Sequence, residues 1–172
     1  GTYTWGVTTS LSYFPKDNSN MFKEDETMVD YLQQFSTEDD DTFVRSFLGR
    51  MLFSGDEALK NCQVLSGGER VRVVLAKMML EGANCMIFDE PTSHLDLESI
   101  QALNNGLIDF KGVLLFNSHD HEFVSSIANR IVEFIPGGII DKMEGFEDYL
   151  ADSNANELRE KAYKDNKRII LL

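Results

Sequence analysis

Three short clusters carry side chains able to act on a phosphate. In Ser66-Gly67-Gly68-Glu69 the S-x-x-E spacing forms a capping box: the serine hydroxyl accepts from the Glu69 backbone N–H, and the Glu69 carboxylate accepts from the Ser66 N–H. The two glycines let another group approach the backbone closely, and a helix start with bare N–H groups is a site for phosphate. Asp89-Glu90 closes the apolar run Cys85-Met86-Ile87-Phe88. One carboxylate can hold Mg2+ through its water shell while the other orients or deprotonates an attacking water. Asn117-Ser118-His119-Asp120 closes a second apolar run, and His119 could hydrogen-bond a γ-phosphate. Each cluster also has a plain reading, as a helix start, a loop start and a structural histidine. Together and in this order they point to chemistry on a phosphate.

Those side chains need elements to hold them. Residues 3–14, rich in Thr, Tyr, Trp and Val with partial alternation, predict one or two strands closed by the turn Pro15-Lys16-Asp17-Asn18. The period then changes. Met28, Val29, Leu32 and Phe35, followed by Phe43, Val44, Phe47, Leu48, Met51 and Leu52, recur at helical spacing and predict amphipathic helices over 26–35 and 40–53. A third helix is expected over 67–80, with Val71, Val74, Leu75 and Met78 on one face and Gly82 to stop it. From Asn84 onward short apolar runs alternate with helices: strand 85–88, helix 97–110, strand 113–116, helix 120–128, strand 131–135. That βαβαβ order predicts an α/β fold with a parallel sheet flanked by helices. It places Asp89, Glu90 and His119 at the carboxyl ends of neighbouring strands, where ligands of such sheets bind. The helical block of about 24–64, extended by the third helix, makes an inserted helical subdomain of about 24–82. Residues 155–172 mix a charged helical stretch with an apolar end, and read as a tail or the start of a linker.

Composition narrows the classes. A chain of 172 residues, 42% hydrophobic and 26% charged, can bury a core and is not a disordered tail. A net charge of −13 removes the general attraction for nucleic-acid backbone, so any RNA contact needs a local basic patch. No apolar run reaches the length of a membrane span, and the first ten residues lack the pattern of a signal peptide. A cytoplasmic protein without membrane insertion is expected. Cys62 and Cys85 are too few for a disulfide framework and lack metal-ligand spacing, which predicts two reduced thiols.

LSGGER at 65–70, CMIFDEPTSHLD at 85–96 and FNSHDHEF at 116–123 resemble the signature, the Walker B segment with its D-loop, and the switch histidine of ABC-type ATPases. SHLD after DEPT, SHDHEFV, and the closing GFEDYL at 145–150 resemble the ABC-F branch, soluble paired-cassette ATPases that act on ribosomes. The resemblance covers roughly residues 1–150 and implies a partial P-loop NTPase cassette over 1–154, with ATP and Mg2+ as cofactors. It implies that Asp89 serves Mg2+, that Glu90 polarises the attacking water and that His119 contacts the γ-phosphate. Asp96 would lie in the D-loop at the cassette interface. Ser66, Gly67 and Gly68, with Glu69 closing their box, would reach a nucleotide bound by the opposite cassette. The implied partners are that second cassette, in the same parent chain or in a dimer, and the ribosome with its RNA.

The sequence also departs from the family pattern. Lys16 stands where the family has a Mg2+-ligating glutamine; it cannot ligate a cation but can pair with phosphate, and its plain reading is a solvated turn lysine. No G-x-x-x-x-G-K-[ST] loop occurs anywhere. The resemblance therefore implies a cassette incomplete at its N-terminus, which alone neither binds ATP tightly nor hydrolyses it. The short interval between Lys16 and Ser66, without a long charged helical pair, favours the second cassette of a pair. Two other readings remain open. One is the nucleotide-binding domain of an ABC transporter. The other is a remnant that donates its signature helix without turnover, against which the intact Asp89-Glu90 pair and His119 argue.

Overall fold

A computed structural model describes residues 1–14, 21–22, 24–93 and 95–166. Lys16, His94 and the apolar end at 169–172 lie outside the described residues. The chain divides into two compact units, Gly1–Asp120 and the residues from His121 onward.

In the first unit the expected parallel sheet forms from β1 (Leu11–Phe14), β2 (Cys85–Asp89) and β3 (Val113–Asn117), in the order β1-β2-β3. Of residues 3–14, only the last four are a strand. Tyr3, Trp5 and Val7 are exposed, with no neighbouring backbone among the described residues to complete a ladder. Asn84, just before β2, sets the register. Its side chain donates to Thr8 O (2.8 Å) and accepts from Ser10 N (3.0 Å), while its carbonyl accepts from Val113 N (2.9 Å). Leu11, Cys85 and Val113 therefore align, and so do Phe14, Phe88 and Phe116. On one face Phe14 and Phe88 are buried and stack at 5.5 Å; on the other, Tyr13 and Leu115 are exposed.

The helical region holds α1 (Met28–Gln33), α2 (Asp41–Arg50), two 3-10 turns (Gly55–Leu59 and Cys62–Val64) and α3 (Gly67–Leu80). Each α-helix begins at a polar cap. Thr27 and Asp30 form a capping box, Asp40 accepts from Thr42 N (2.9 Å), and Ser66 and Glu69 form the second box. The predicted buried positions Val71, Val74, Leu75 and Met78 are all inside, and so are Val73 and Ala76. More than one face of α3 is covered because it packs against α1, α2, β1 and α4 (Leu97–Ile108) together. Gly82, at φ +63, ends the turn after α3 in the left-handed region that glycine adopts without strain.

The second unit corrects one expectation. Residues 131–135 do form a strand, β4 (Ile131–Ile135), after α5 (His121–Ile127). Yet β4 pairs antiparallel with β5 (Gly138–Lys142) and does not extend the parallel sheet. The physical reason is the Pro136-Gly137 turn: Gly137 at φ +85 reverses the chain at once, so a hairpin closes locally. α6 (Phe146–Ala151) and α7 (Ser153–Asn166) follow, the latter realising the charged helical stretch of the tail. Ile140, Tyr149 and Ala155 make the core of this unit. Above it, Glu133 accepts from Arg159 Nε (2.9 Å) and Nη2 (2.8 Å) and from the Tyr149 hydroxyl. The Arg159 guanidinium, with burial working against it, keeps the Glu133 carboxyl below its usual range.

Candidate functional site

Apart from Lys16, which lies outside the described residues, the structure brings the predicted residues together in two clusters, both within Gly1–Asp120. The first lies at the carboxyl ends of β2 and β3. Asp89 ends β2 directly opposite Asn117, the end of β3. The chain turns sharply at Glu90, whose φ of +49 is in the left-handed region, a conformation costing a non-glycine residue about 1–2 kcal/mol. Its N–H donates to the Asn117 side-chain Oδ1 (2.9 Å) and to the Asn117 carbonyl (3.2 Å). So held, the Glu90 carboxylate is only 13% exposed and lies 3.3 Å from His119 Nε2, while His119 itself is open to solvent. Thr92 and Ser118 hydroxyls meet at 3.0 Å, tying together the loops that follow the two strands. Asn117, Thr92 and Ser118 were not singled out by sequence reasoning. The available signal was the strand alignment, which sets Asn117 beside Asp89.

A hollow of about 460 Å3, lined by Tyr13, Ile87, Asp89, Leu115 and Asn117 among others, opens along this edge. A second hollow of similar volume, between Phe47, Met79 and Phe110, lies where β2 and β3 begin, near Asn84 and Gly112, and does not include these carboxylates. Among the described residues no three His, Cys, Asp or Glu side chains form a metal-binding group. Mg2+ needs only one or two carboxylates together with waters and phosphate oxygens, and the carboxylates at this edge are those of Asp89 and Glu90.

The second cluster is built on the starts of α3 and α4. Ser66 Oγ accepts from Glu69 N (3.3 Å), and Ser66 N donates to Glu69 Oε2 (2.7 Å). The other Glu69 oxygen takes the Lys60 ammonium at 2.7 Å. Burial raises the Glu69 carboxyl, but Lys60 and the Ser66 donors outweigh it and hold it at about 2. Glu69 therefore fixes the helix start with both oxygens engaged. Ser66 and Gly67 are exposed, leaving the bare N-terminus open to an approaching anion. Asp96 Oδ1 accepts from Ser99 N (2.8 Å) and caps α4; Ser99 keeps the Asp96 carboxyl below the usual carboxylate range. Asp96 and Gly68 lie side by side, since a Cβ on Gly68 would stand 3.4 Å from Asp96 Oδ2.

Comparison with known proteins gives this arrangement relatives. The family described as ABC transporter matches residues 5–93. The "Uncharacterized ABC transporter ATP-binding protein YkpA" of Bacillus subtilis (strain 168) is 56% identical over 167 residues, covering 96% of this chain and 31% of that protein. "ABC transporter F family member 2" of Arabidopsis thaliana is 28% identical over 159 residues, covering 91% of this chain and 24% of that protein. The chain thus spans less than a third of the length of these curated relatives. Among solved structures, the complex of archaeal ribosomal stalk protein aP1 and archaeal ribosome recycling factor aABCE1 matches with a TM-score of 0.67 at 20% identity, over 94% of this chain and 37% of that one. That match speaks to the fold.

Proposed function

This chain belongs to the ABC transporter family of ATP-binding domains, consistent with the F branch, and on that premise we propose that it is part of an ABC-F ATPase cassette. The parent protein binds and hydrolyses ATP between two cassettes and acts on the ribosome. Residues 1–154 form the partial cassette, with 24–82 as its helical subdomain and 155–172 as a tail or linker start. The observation that carries the reading is the clamped, strained Glu90 with His119 Nε2 at 3.3 Å from its carboxylate. Glu90 accepts a proton from, or polarises, the attacking water; general-base help of this kind contributes about 10²–10⁴-fold. His119, solvent-facing, contacts the γ-phosphate, and Asp89 holds Mg2+, which when bound neutralises charge on the phosphates. Ser66, Gly67 and Gly68 face the nucleotide held by the opposite cassette, with Asp96 beside them at the interface. Lys16 pairs with phosphate.

The ribosomal role draws on the resemblance to the ABC-F branch carried by SHLD at 93–96, SHDHEFV at 118–124 and GFEDYL at 145–150. With a net charge of −13, ribosome contact runs through a local basic surface and not through the average field. Among the described residues no helix is long and apolar enough to cross a membrane. The cytoplasmic location we propose rests on the resemblance to the ABC-F branch.

Two measurements test this. Titrating MgATP calorimetrically into this chain, and into one extended N-terminally to include a phosphate-binding loop, should give binding only in the extended chain; micromolar binding by the short chain overturns the account of its inactivity. In the parent protein, Glu90→Gln should cut ATP turnover at least about 10²-fold with nucleotide binding retained, and the protein should sediment with ribosomes. Full turnover by the variant sinks the assignment of Glu90. Co-fractionation with a membrane partner in place of ribosomes favours a transporter.

A further inference from the structure

Gly67 and Gly68 share one apparent reason in the sequence, the close approach of a ligand, but the structure separates them. A Cβ built on Gly67 meets nothing within 4 Å, so its bare face looks into open space. On Gly68 the same atom would stand 2.4 Å from Ser99 Oγ and 3.4 Å from both Ser99 Cβ and Asp96 Oδ2. Real Cβ atoms do not sit at 2.4 Å from an oxygen, so an alanine here forces either Ser99 or the start of α3 to move.

Neither neighbour has obvious room. Ser99 is wholly buried. Its N–H is committed to Asp96 in the α4 cap, and Ala102 and Leu103 anchor the next turn of α4 in the core. One turn along α3, the buried Arg72 donates to Met51 O at 3.0 Å and approaches Glu98 at 3.8 Å, so the two helix starts are held at a second level. Gly68 lies within a helix, where glycine is a poor choice unless contact demands it.

We infer that Ser99 is a positioning residue for the nucleotide-facing start of α3, and that glycine is required at 68 by Ser99 behind it and not by a ligand in front of it. Ser99 sets the spacing between the Ser66–Gly68 backbone and Asp96, so both are presented at one depth. The consequence for turnover rests on the ATPase reading above; the contact itself does not.

The test is a double-mutant cycle in two settings. In this chain, Gly68→Ala should lower the thermal midpoint by roughly 5 °C, and Gly68→Ala/Ser99→Ala should recover most of that loss, with Ser99→Ala measured to close the cycle. In the two-cassette parent, Gly68→Ala should reduce kcat at least tenfold, in line with the large penalties of small misplacements. KM for ATP should change less than about threefold, and the double variant should regain kcat to within about threefold of the parent. Recovery of the midpoint with kcat still as low as in Gly68→Ala overturns the proposal, because the ligand then demands the glycine. So does a Gly68→Ala variant that changes neither quantity. A parent without ATP turnover would remove the ATPase reading, while additive midpoint shifts in this chain would remove the Gly68–Ser99 contact.

Discussion

Replacing Glu69 by Gln isolates the charge at the start of α3. Glutamine keeps a side-chain acceptor for the Ser66 N–H, so the cap survives, but the 2.7 Å ion pair with Lys60 is lost. The carboxyl falls from 4.5 to about 2, worth about 3 kcal/mol at about 1.36 kcal/mol per pH decade. Lys60 is 39% and Glu69 20% exposed, and solvent screening leaves about 1–2 kcal/mol. The folded carboxyl titrates below the unfolded one, so this stability is fully present above about pH 4.5 and is lost as pH falls toward 2. Urea unfolding of Glu69→Gln against the parent sequence should show the midpoint lowered at pH 7 with an unchanged slope. By pH 3 less than half of the difference should remain. An equal gap at pH 3 and pH 7 would refute the electrostatic account, because a lost hydrogen bond or altered packing does not titrate there.

Other consequences follow from single contacts. Asn117→Ala removes the stronger acceptor of the Glu90 N–H; losing about 1 kcal/mol of alignment should lower kcat of the parent protein about five- to tenfold with ATP affinity unchanged, and unchanged kcat would show that the clamp does not orient Glu90. Arg159→Met leaves Glu133 partly buried without its guanidinium; a loss of about 2 kcal/mol should appear as faster hydrogen exchange along α7, and unaltered exchange would count against that anchor. Burial, with Glu26 and Asp30 adding to it, pushes the Cys62 thiol up to about 12. Its thiolate fraction at pH 8 is therefore about a thousandfold below that of a free cysteine, so a disulfide reagent should modify it only after urea unfolds the chain; rapid native labelling would show the thiol accessible.

What could be read from the sequence was local. The S-x-x-E box located the start of α3 to the residue, because both of its hydrogen bonds span only three positions. The apolar runs before Asp89 and Asn117 named two strands and put the carboxylates at their ends, because strand direction and chain order are sequence properties. The hairpin was missed although Pro136-Gly137 lay in view: Ile131–Ile135 has the same apolar character in a parallel sheet or beside β5, and only pairing distinguishes them. The clamp on Glu90 and the seat behind Gly68 were invisible for a related reason. They join residues 27 and 31 positions apart, and no periodicity reports which side chain of one element will meet another.

The position of Glu90 shows how such distant contacts are nevertheless specified. Just past the end of β2 the chain leaves the ladder, and the Glu90 N–H must still find an acceptor. Asn117 supplies two acceptors for that one donor, offsetting the left-handed turn that aims the carboxylate toward His119, two residues further along the same strand end. The acid, its clamp and its histidine neighbour thus depend on one alignment, Asp89 opposite Asn117. A slip of one residue would put Asn117 out of reach and turn every side chain of the strand to the other face. That alignment is fixed at the far end of the strands, where Asn84 bonds β3 through its carbonyl and the residues before β1 through its amide. A polar residue with no contact to the reactive edge therefore helps to determine its geometry, because strands transmit register along their whole length.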